Sequence, residues 1–341
     1  MYLDVPDGFY TQVAILEKPL AEYLPASQWL LLGDASVRSV WHSHHMPEPL
    51  ISNWIETSEA AKRMETLVPW LEHWALHDVQ RNHTLVVAGG GVMTDMGGLA
   101  ASLYMRGIAW HAWPTSLLAQ IDAGIGGKTA VNLDSGKNLA GAFHHPQRMV
   151  IANSFLDSLP ARHQKSGAWE LVKMALIEGD VAWAESLLNR KTPSTGDMNR
   201  AVRLKIDIVH RDFKEQNERR LLNLGHTLGH AIESASSFEL LHGEAIGLGT
   251  LTACLLSEKE GCAAFPHSLI EKMAEQLAPL SPRLPPWETC LPFLLRDKKK
   301  ESKSKLRYII PVPGSRPIQK EISPETLESI YVKLLLIVTP R

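Results

Sequence analysis

Residues 84–104, TLVVAGGGVMTDMGGLAASLY, contain the pattern that decides the fold. The run TLVVA at 84–88 is short, apolar and rich in valine, which predicts a buried strand. Three glycines follow at 89–91, and the small and apolar residues at 96–104 predict a helix. A strand, a glycine turn and a helix in this order are typical of α/β folds, in which parallel strands alternate with helices.

The first half of the chain repeats this alternation. Further strands are predicted at 29–32, 109–113 and 149–151, and the stretch 59–80 is rich in helix-forming residues. Pro69 lies inside that stretch and predicts a kink or a break there. We therefore predict an α/β domain with a mostly parallel sheet and helices on both faces.

The second half has a different character, with helical spacing and sparse glycine from about residue 160 onward. The predicted helices are 168–177, 198–209, 221–234, 245–259 and 269–277. One strand is predicted at 306–310, after a lysine-rich loop at 297–305. We place the two domains at residues 1–158 and 159–341.

Composition limits the possible functions. At 341 residues the chain is long enough for two domains, and its 45% apolar and 21% charged content is ordinary for a globular protein. A net charge of -2 gives no reason to expect nucleic acid or an acidic membrane surface as a partner. Three cysteines without CxxC spacing indicate a reducing compartment. With no signal peptide and no long apolar run, we expect a cytoplasmic protein.

Residues 222–244, LNLGHTLGHAIESASSFELLHGE, hold three histidines. His226 and His230 are four residues apart and share one face of a helix, and His242 could fold back toward that face. Grouped imidazoles are typical of a transition-metal site, although a pair of helix histidines packed against polar core groups remains the alternative. Thr227 follows His226 where a zinc protease of the HExxH type has glutamate, which disfavours that class.

Two glycine-rich segments favour an anionic ligand. The turn at 89–91 lets the backbone approach a pyrophosphate at a helix N-terminus, but it lacks the GxGxxG pattern and could be no more than a tight turn. Residues 122–141, DAGIGGKTAVNLDSGKNLAG, combine glycines with Lys128 and Lys137 in a potential nest for phosphate or carboxylate, the alternative being a glycine loop without function. A P-loop is disfavoured because Asp122 occupies the position of its first glycine.

Other charged residues are interpreted as surface features. Glu170 and Lys173 are three apart, and Glu215 and Arg219 are four apart, so spacing alone predicts exposed ion pairs on helices. The histidine cluster HSHH at 42–45 lies in a polar stretch without a nearby carboxylate, and we interpret it as a solvated loop.

Five longer motifs resemble the 3-dehydroquinate synthase family, within the wider sugar-phosphate cyclases. The resemblance runs from about residue 34 to residue 299. The motifs are GGGVMTDMGGLAASLYMRG (89–107), LLAQIDAGIGGKTAVNLDSGKNLAGAF (117–143), ELVKMALI (170–177), KEQNERRLLNLGHTLGHAIE (214–233) and LHGEAI (241–246).

The resemblance implies an N-terminal Rossmann-like NAD-binding α/β domain and an all-α C-terminal metal-binding domain. The implied metal, most often zinc with cobalt as a second choice, would bind Glu170, His226 and His242, so that His230 becomes a substrate-side group. The implied NAD positions are Asp34, Glu59, Lys62, Gly89, Gly90, Gly91, Asp95, Thr115, Ser116, Asp122, Lys128, Lys137 and Ser158. The implied catalytic and substrate positions are Lys128, Asn138, Lys173, Lys205, Glu215, Arg219, Asn223, His230, Lys298 and Arg106.

The family's reaction converts 3-deoxy-D-arabino-heptulosonate 7-phosphate to 3-dehydroquinate and phosphate. It proceeds by transient oxidation with NAD, β-elimination of phosphate, reduction, ring opening and an intramolecular aldol closure, and it belongs to the shikimate pathway. The resemblance further implies a homodimer in which Arg106 reaches the phosphate of the neighbouring subunit. Ser116 and Ser158 stand where the family has threonine, and both keep a hydroxyl.

Three other functions remain as alternatives. Cyclases that make valiolone- or inosose-type products tend to lose parts of the GGKT…GKN segment or the asparagine before GHTxGH, both of which this chain keeps. A metal-dependent polyol dehydrogenase would not need a phosphate clamp of Lys128, Lys173, Arg219 and Lys298. A non-catalytic nucleotide-binding protein would not need the metal ligands together with that clamp.

Overall fold

The computed structural model describes residues 2–4, 10–26, 28–237, 239–295 and 305–339. The chain divides into two compact units, Met1–Gln164 with Lys205–Phe213, and Lys165–Leu204 with Lys214–Arg341. The change of unit at Gln164 lies a few residues after the predicted boundary at 158. The assignment of a later helical segment to the first unit has no signal in the sequence.

The first unit contains a seven-stranded sheet. Its strands are β1 (Tyr2–Asp4), β2 (Tyr10–Leu16), β3 (Trp29–Asp34), β4 (Ile51–Ile55), β5 (Thr84–Gly89), β6 (Ala109–Pro114) and β9 (Arg148–Ala152). The order is β1-β2-β9-β6-β5-β3-β4, with β1 antiparallel to β2 and the remaining neighbours parallel. The predicted mostly parallel sheet and its four predicted strands are confirmed, whereas β1, β2 and β4 were not predicted.

Strand β5 lies between β3 and β6, so both of its edges are paired and its residues are buried throughout. The helices of this unit are α1 (Arg38–Ser43), α2 (Met64–Leu76) and α3 (Gly91–Leu103). Helix α3 lies close to the sheet, since a Cβ at Gly97 would lie 2.7 Å from Val87 of β5, and one at Gly98 would lie 2.9 Å from Trp110 of β6. The run of small residues after β5 therefore serves close packing as well as the turn.

Two local features of this unit bear on the predictions. Helix α2 continues through Pro69, so the predicted break is wrong, whereas the alternative of a kink stays a prediction. The glycine-rich segment is not a loop, because it forms a π-helical turn at Ala119–Ala123 and then an antiparallel hairpin of β7 (Lys128–Leu133) and β8 (Gly136–Phe143); its interpretation as a nest stays a prediction. The hairpin packs on α3, which fixes its place beside the turn after β5.

The second unit is helical apart from one hairpin. The helices that lie wholly or mostly in it are α4 (Ala161–Glu178), α5 (Val181–Leu188), α6 (Thr195–Arg211), α7 (His226–Ala235), α8 (His242–Lys259), α9 (His267–Leu277), α10 (Trp287–Leu295) and α11 (Pro324–Val338). The hairpin joins β10 (Leu306–Val312) to β11 (Ser315–Ile322), so the predicted strand is confirmed and the all-α description is incomplete by this hairpin. None of the helices within the described ranges is long and apolar enough to cross a membrane.

Candidate active site

Three histidines of the second unit converge at one point. His226 and His230 lie one turn apart on α7, and His242 is the first residue of α8. One ring nitrogen from each lies within 4.8 Å of the others, a spacing that a single metal ion can bridge. We call these three residues the histidine cluster.

Glycines bring the helices of the histidine cluster together. Gly225 precedes α7 with a left-handed φ of 76°, which a side chain adopts with strain. A Cβ at Gly249 of α8 would lie 1.9 Å from the carbonyl oxygen of Gly225, and a Cβ at Gly243 would lie 1.9 Å from that of Ser166 in α4. Backbone therefore meets backbone at both contacts, and α8 is held against α4 and α7.

A carboxylate completes the cluster. Glu170 of α4 is fully buried, and its Oε1 lies 3.6 Å from His242 Nε2. Lys173 forms an ion pair with Glu170 and is itself only 1% exposed. The prediction of a surface ion pair at these two positions is therefore wrong, because the helix face that carries them points into the unit. Two imidazoles and a carboxylate are donors that suit zinc or a similar ion.

Hydrogen bonds orient the two imidazoles. The Nδ1–H of His242 donates to Glu233 Oε2 at 3.2 Å, and the Nδ1–H of His226 donates to the carbonyl oxygen of Leu224 at 3.0 Å. Each bond occupies Nδ1, so Nε2 is the ring nitrogen that a metal ion could use. Glu233 was not identified from the sequence as a site residue, since its spacing from His242 predicts no contact.

Burial and charge set the protonation of the cluster. Burial, with the positive charge of Lys173 nearby, lowers the pKa of His226 well below its usual range, so this ring is neutral and ready to bind a metal. Burial alone would lower the pKa of His242, but its hydrogen bonds to Glu170 and Glu233 outweigh burial and raise that pKa to about 9. His242 therefore carries a proton at neutral pH, which a metal ion bound there would have to displace.

The polar residues between α6 and α7 form a separate group. Asn223 donates from Nδ2 to Glu215 Oε1 at 2.7 Å, and Glu215 has a left-handed φ of 57°. Arg219 is 3% exposed. The prediction of a surface pair between Glu215 and Arg219 is therefore wrong with respect to the arginine, which is buried.

In the first unit, parallel strand ends gather the predicted dinucleotide residues. Asp34 ends β3 and Gly89 ends the adjacent β5, and a Cβ at Gly89 would lie 3.2 Å from the Cβ of Asp34. The backbone N–H of Thr115, which follows β6, donates to the carbonyl oxygen of Gly89 at 2.9 Å. The carboxyl ends of neighbouring parallel strands are the usual place for a dinucleotide.

The turn between β5 and α3 has no side-chain cap. Gly90 caps α3 without a side chain, so the first N–H groups of the helix have no side-chain acceptor at the cap. A Cβ at Gly90 would lie 3.5 Å from Ser116 Oγ, and one at Gly91 would lie 3.3 Å from the Cβ of Ala123. Asp34, at the neighbouring strand end, accepts hydrogen bonds from Ser36 N at 2.9 Å and from the hydroxyl of Thr57.

Two lysines of this unit bind aspartates. Lys62, 4% exposed, donates to Asp95 Oδ2 at 2.5 Å. Burial raises the pKa of Asp95 to about 6, although the charge of Lys62 opposes the shift. Lys205 donates to both the side chain and the carbonyl oxygen of Asp122 at 2.5 Å, so a predicted substrate residue and a predicted NAD residue meet in one ion pair.

Three other predicted residues lie in the first unit. Lys128 is exposed at the start of β7, and Arg106 is exposed in a turn with a left-handed φ of 66°. The hydroxyl of Ser158 donates to the carbonyl oxygen of Phe155. Lys298 lies outside the described residues.

The HSHH cluster is not a simple loop. His42 lies in the short helix α1, and His44 hydrogen-bonds Ser154 Oγ at 3.2 Å. Within the described ranges, these histidines form no group of three potential metal ligands.

Two family models cover most of the chain. The model of the 3-dehydroquinate synthase N-terminal domain matches residues 52–166, and the model of its C-terminal domain matches residues 167–300. The chain belongs to the 3-dehydroquinate synthase family. Among its relatives, a 3-dehydroquinate synthase from Solibacter usitatus is 37% identical over 74% of each chain. One from Bartonella quintana is 34% identical over 89% of this chain and 86% of its own length.

Solved structures extend the comparison to other cyclases. A 2-deoxy-scyllo-inosose synthase complexed with carbaglucose-6-phosphate, NAD⁺ and Co²⁺ has a TM-score of 0.82 at 25% identity, over 98% of this chain and 99% of its own. A 2-epi-5-epi-valiolone synthase from Streptomyces hygroscopicus with NAD⁺ and Zn²⁺ has a TM-score of 0.78 at 26% identity, over 95% of this chain and 96% of its own. A probable glycerol dehydrogenase from Sinorhizobium meliloti, at 14% identity and a TM-score of 0.59 over 96% of this chain and 97% of its own, shares the fold alone.

Proposed function

We propose that this protein is a 3-dehydroquinate synthase that uses NAD and one divalent metal ion. The observation that carries the proposal is the convergence of buried Glu170 with the histidine cluster in a chain of this family. When bound, NAD would take and return a hydride at a substrate hydroxyl, and the metal would act on that hydroxyl as a Lewis acid.

We infer that Glu170, His226 and His242 hold the metal and that His230 faces the substrate. The mutual distances of the three imidazoles do not separate His230 from the other two. One feature supports the inclusion of Glu170 with His242: Glu170 is fully buried, and its Oε1 lies 3.6 Å from His242 Nε2. In this assignment His230 would hydrogen-bond a substrate oxygen or move a proton there.

We propose that the basic residues of the site bind the anionic ends of the substrate. Lys173 is held beside Glu170, and Arg219 is buried in the same unit. Charge-assisted hydrogen bonds from such residues suit a phosphate and a carboxylate. In the first unit, the uncapped N-terminus of α3 and the strand ends at Asp34 and Gly89 suit the pyrophosphate and ribose of NAD.

The similarity to an inosose synthase structure favours a second candidate, a cyclase of another sugar phosphate. Against it, the 3-dehydroquinate synthases are 34–37% identical to this chain, and the two cyclase structures are 25–26% identical. The chain also keeps Asn138 and Asn223, residues of the two motifs that such relatives tend to lose.

One assay decides between the candidates. The purified protein is given NAD, Zn²⁺ or Co²⁺, and either 3-deoxy-D-arabino-heptulosonate 7-phosphate or glucose 6-phosphate. We expect release of phosphate and formation of 3-dehydroquinate from the first substrate, without net NADH. Turnover of the hexose phosphate instead would indicate the other cyclase, and steady accumulation of NADH would indicate a dehydrogenase.

We further propose a cytoplasmic homodimer in which Arg106 acts on the site of the neighbouring subunit. The exposure of Arg106 in a left-handed turn supports this role, since an exposed side chain is accessible to a second subunit. Mixing an inactive Arg106→Ala protein with an inactive His226→Ala protein should restore activity if subunits exchange. Activity that stays absent in verified mixed dimers would contradict the proposal.

A further inference from the structure

Asn132 lies where the β7–β8 ladder is interrupted. The strands are in register at Val131 with Ala140 and again at Leu133 with Gly136, but the register shifts between these pairs. A bulge of this kind re-aims a side chain and is common beside functional sites. The amide of Asn132 consequently bonds outside the regular ladder.

Four hydrogen bonds join Asn132 to three predicted site residues. Its backbone N–H donates to the carbonyl oxygen of Lys62 at 2.7 Å. Its side-chain Nδ2 donates to Glu59 Oε1 at 2.8 Å and to the carbonyl oxygen of Glu59 at 3.5 Å, and its Oδ1 accepts from the backbone N–H of Asn138 at 2.9 Å. We call these four residues the amide network.

The side chain of Lys62 connects further residues of the amide network. Lys62 Nζ donates to Asn138 Oδ1 at 2.6 Å and to Asp95 Oδ2 at 2.5 Å, which ties the hairpin to the start of α3. Asn138 has a left-handed φ of 56°, and the bond from its N–H to Asn132 holds that conformation. Two residues with predicted cofactor or substrate contacts, Glu59 and Asn138, therefore depend directly on the Asn132 side chain, which has no such predicted contact. Lys62 is linked to that side chain through Asn138.

We propose that Asn132 is a positioning residue that places Glu59 and Lys62 for NAD and Asn138 for the sugar phosphate; this assignment rests on the proposed function. An amide suits the position because it donates on one side and accepts on the other. Aspartate has the same shape, keeps the acceptor for Asn138, and replaces the donor with an oxygen that faces the carboxylate of Glu59. Alanine removes the side-chain bonds to both Glu59 and Asn138.

The test separates the donor bond of the Asn132 side chain from its acceptor bond. Asn132→Asp should weaken NAD binding by about 10-fold or more, because it exchanges a charge-assisted bond for repulsion between carboxylates. The KM for the sugar phosphate should stay within about twofold, since the bond to Asn138 is kept. Asn132→Ala should weaken both. The dissociation constant for NAD is measured by titration calorimetry, and kcat and KM are measured by phosphate release.

A second substitution should restore the lost bond with its direction reversed. In Glu59→Gln/Asn132→Asp, the glutamine amide can donate to the aspartate, and the net charge of the pair equals that of the wild type. We expect this double variant to bind NAD within about twofold of Glu59→Gln alone. A loss equal to the product of the two single effects would overturn the proposal. An Asn132→Asp protein that binds NAD like the wild type would also overturn it. So would one in which the Kd for NAD and the KM for the sugar phosphate change by the same factor.

Asn153 provides a matched control. Its Nδ2 donates to Glu17 Oε2 at 3.3 Å in the same unit, so Asn153→Asp places the same change opposite a glutamate away from the amide network. Its NAD affinity should stay within about twofold of the wild type. A wild-type protein that binds no NAD would contradict the proposed function. A wild-type protein that binds NAD beside an unaffected Asn132→Asp variant would contradict this inference alone.

Discussion

Replacing Lys173 with methionine tests whether the buried ion pair with Glu170 contributes to stability. Glu170 is 0% exposed and Lys173 is 1% exposed, so neither charge can regain water when its partner is lost. Removing one member of a buried pair costs about 3–5 kcal/mol, whereas an exposed pair contributes about 0–1 kcal/mol. His242 lies 3.6 Å from Glu170 and offers a second positive partner, which places the expected loss near 3 kcal/mol.

The assay is urea unfolding followed by circular dichroism, at pH 7 with a metal chelator present. Lys173→Met and Glu170→Gln should each lower the free energy of unfolding by about 3 kcal/mol, and the double variant should lose far less than their sum of about 6 kcal/mol. The matched control is Lys333→Met. Lys333 pairs with Glu258 at 3.6 Å with both side chains at least half exposed, so a change below about 1 kcal/mol is expected.

Two results would refute this reasoning. A loss below about 1 kcal/mol for Lys173→Met would mean that Glu170 is protonated or solvated in the folded protein. Additive losses in the double variant would mean that the two side chains do not depend on each other. Either result would remove the electrostatic argument for a preformed anionic ligand at this position.

Three further predictions concern the metal, pH and packing. His226→Ala should weaken zinc binding by more than about 100-fold, whereas His230→Ala should retain zinc and lose turnover. Calorimetry with a competing chelator measures the zinc affinity of each variant, and an equal loss of zinc affinity in the two would make His230 a ligand. Burial lowers the pKa of His111 to about 4, so the unfolded chain binds more protons than the folded protein below pH 6.5. Between pH 7 and 4 the free energy of unfolding of the wild type should therefore fall by about 3 kcal/mol more than that of His111→Gln. Parallel plots of this free energy against pH would contradict the prediction. Gly243→Ala should lower the free energy of unfolding, measured in urea, by about 3 kcal/mol or more. Gly196→Ala should leave it unchanged or raise it, because the added Cβ would lie 3.5 Å from its nearest neighbour, Ser194 Oγ. Equal effects of the two substitutions would contradict the packing argument.

Local patterns predict those parts of the fold that depend on neighbours in sequence. The TLVVA run, its glycines and the following helix are correctly predicted because apolar periodicity and turn residues lie within one stretch. The β7–β8 hairpin was missed because its glycines indicate a loop and its partners are set by packing on α3. Edge strands such as β4 carry too weak an alternation for a prediction.

The candidate site shows the same division. Spacing on α7 identified two of the histidines that converge, but it could not show that Glu170, on a distant helix, joins them. Three-residue spacing between Glu170 and Lys173 suggested a surface pair, because spacing gives the shared face of a helix and not the direction of that face. The roles of Glu233 and Asn132 follow from tertiary contacts, for which the sequence has no local signal.

The glycine contacts of α8 with α4 and α7 have a consequence for the geometry of the candidate site. Because main chain touches main chain at Gly243 and Gly249, a side chain at either position would push apart the helices that carry Glu170 and the histidine cluster. Two residues without side chains therefore govern the distances between side chains that they do not touch.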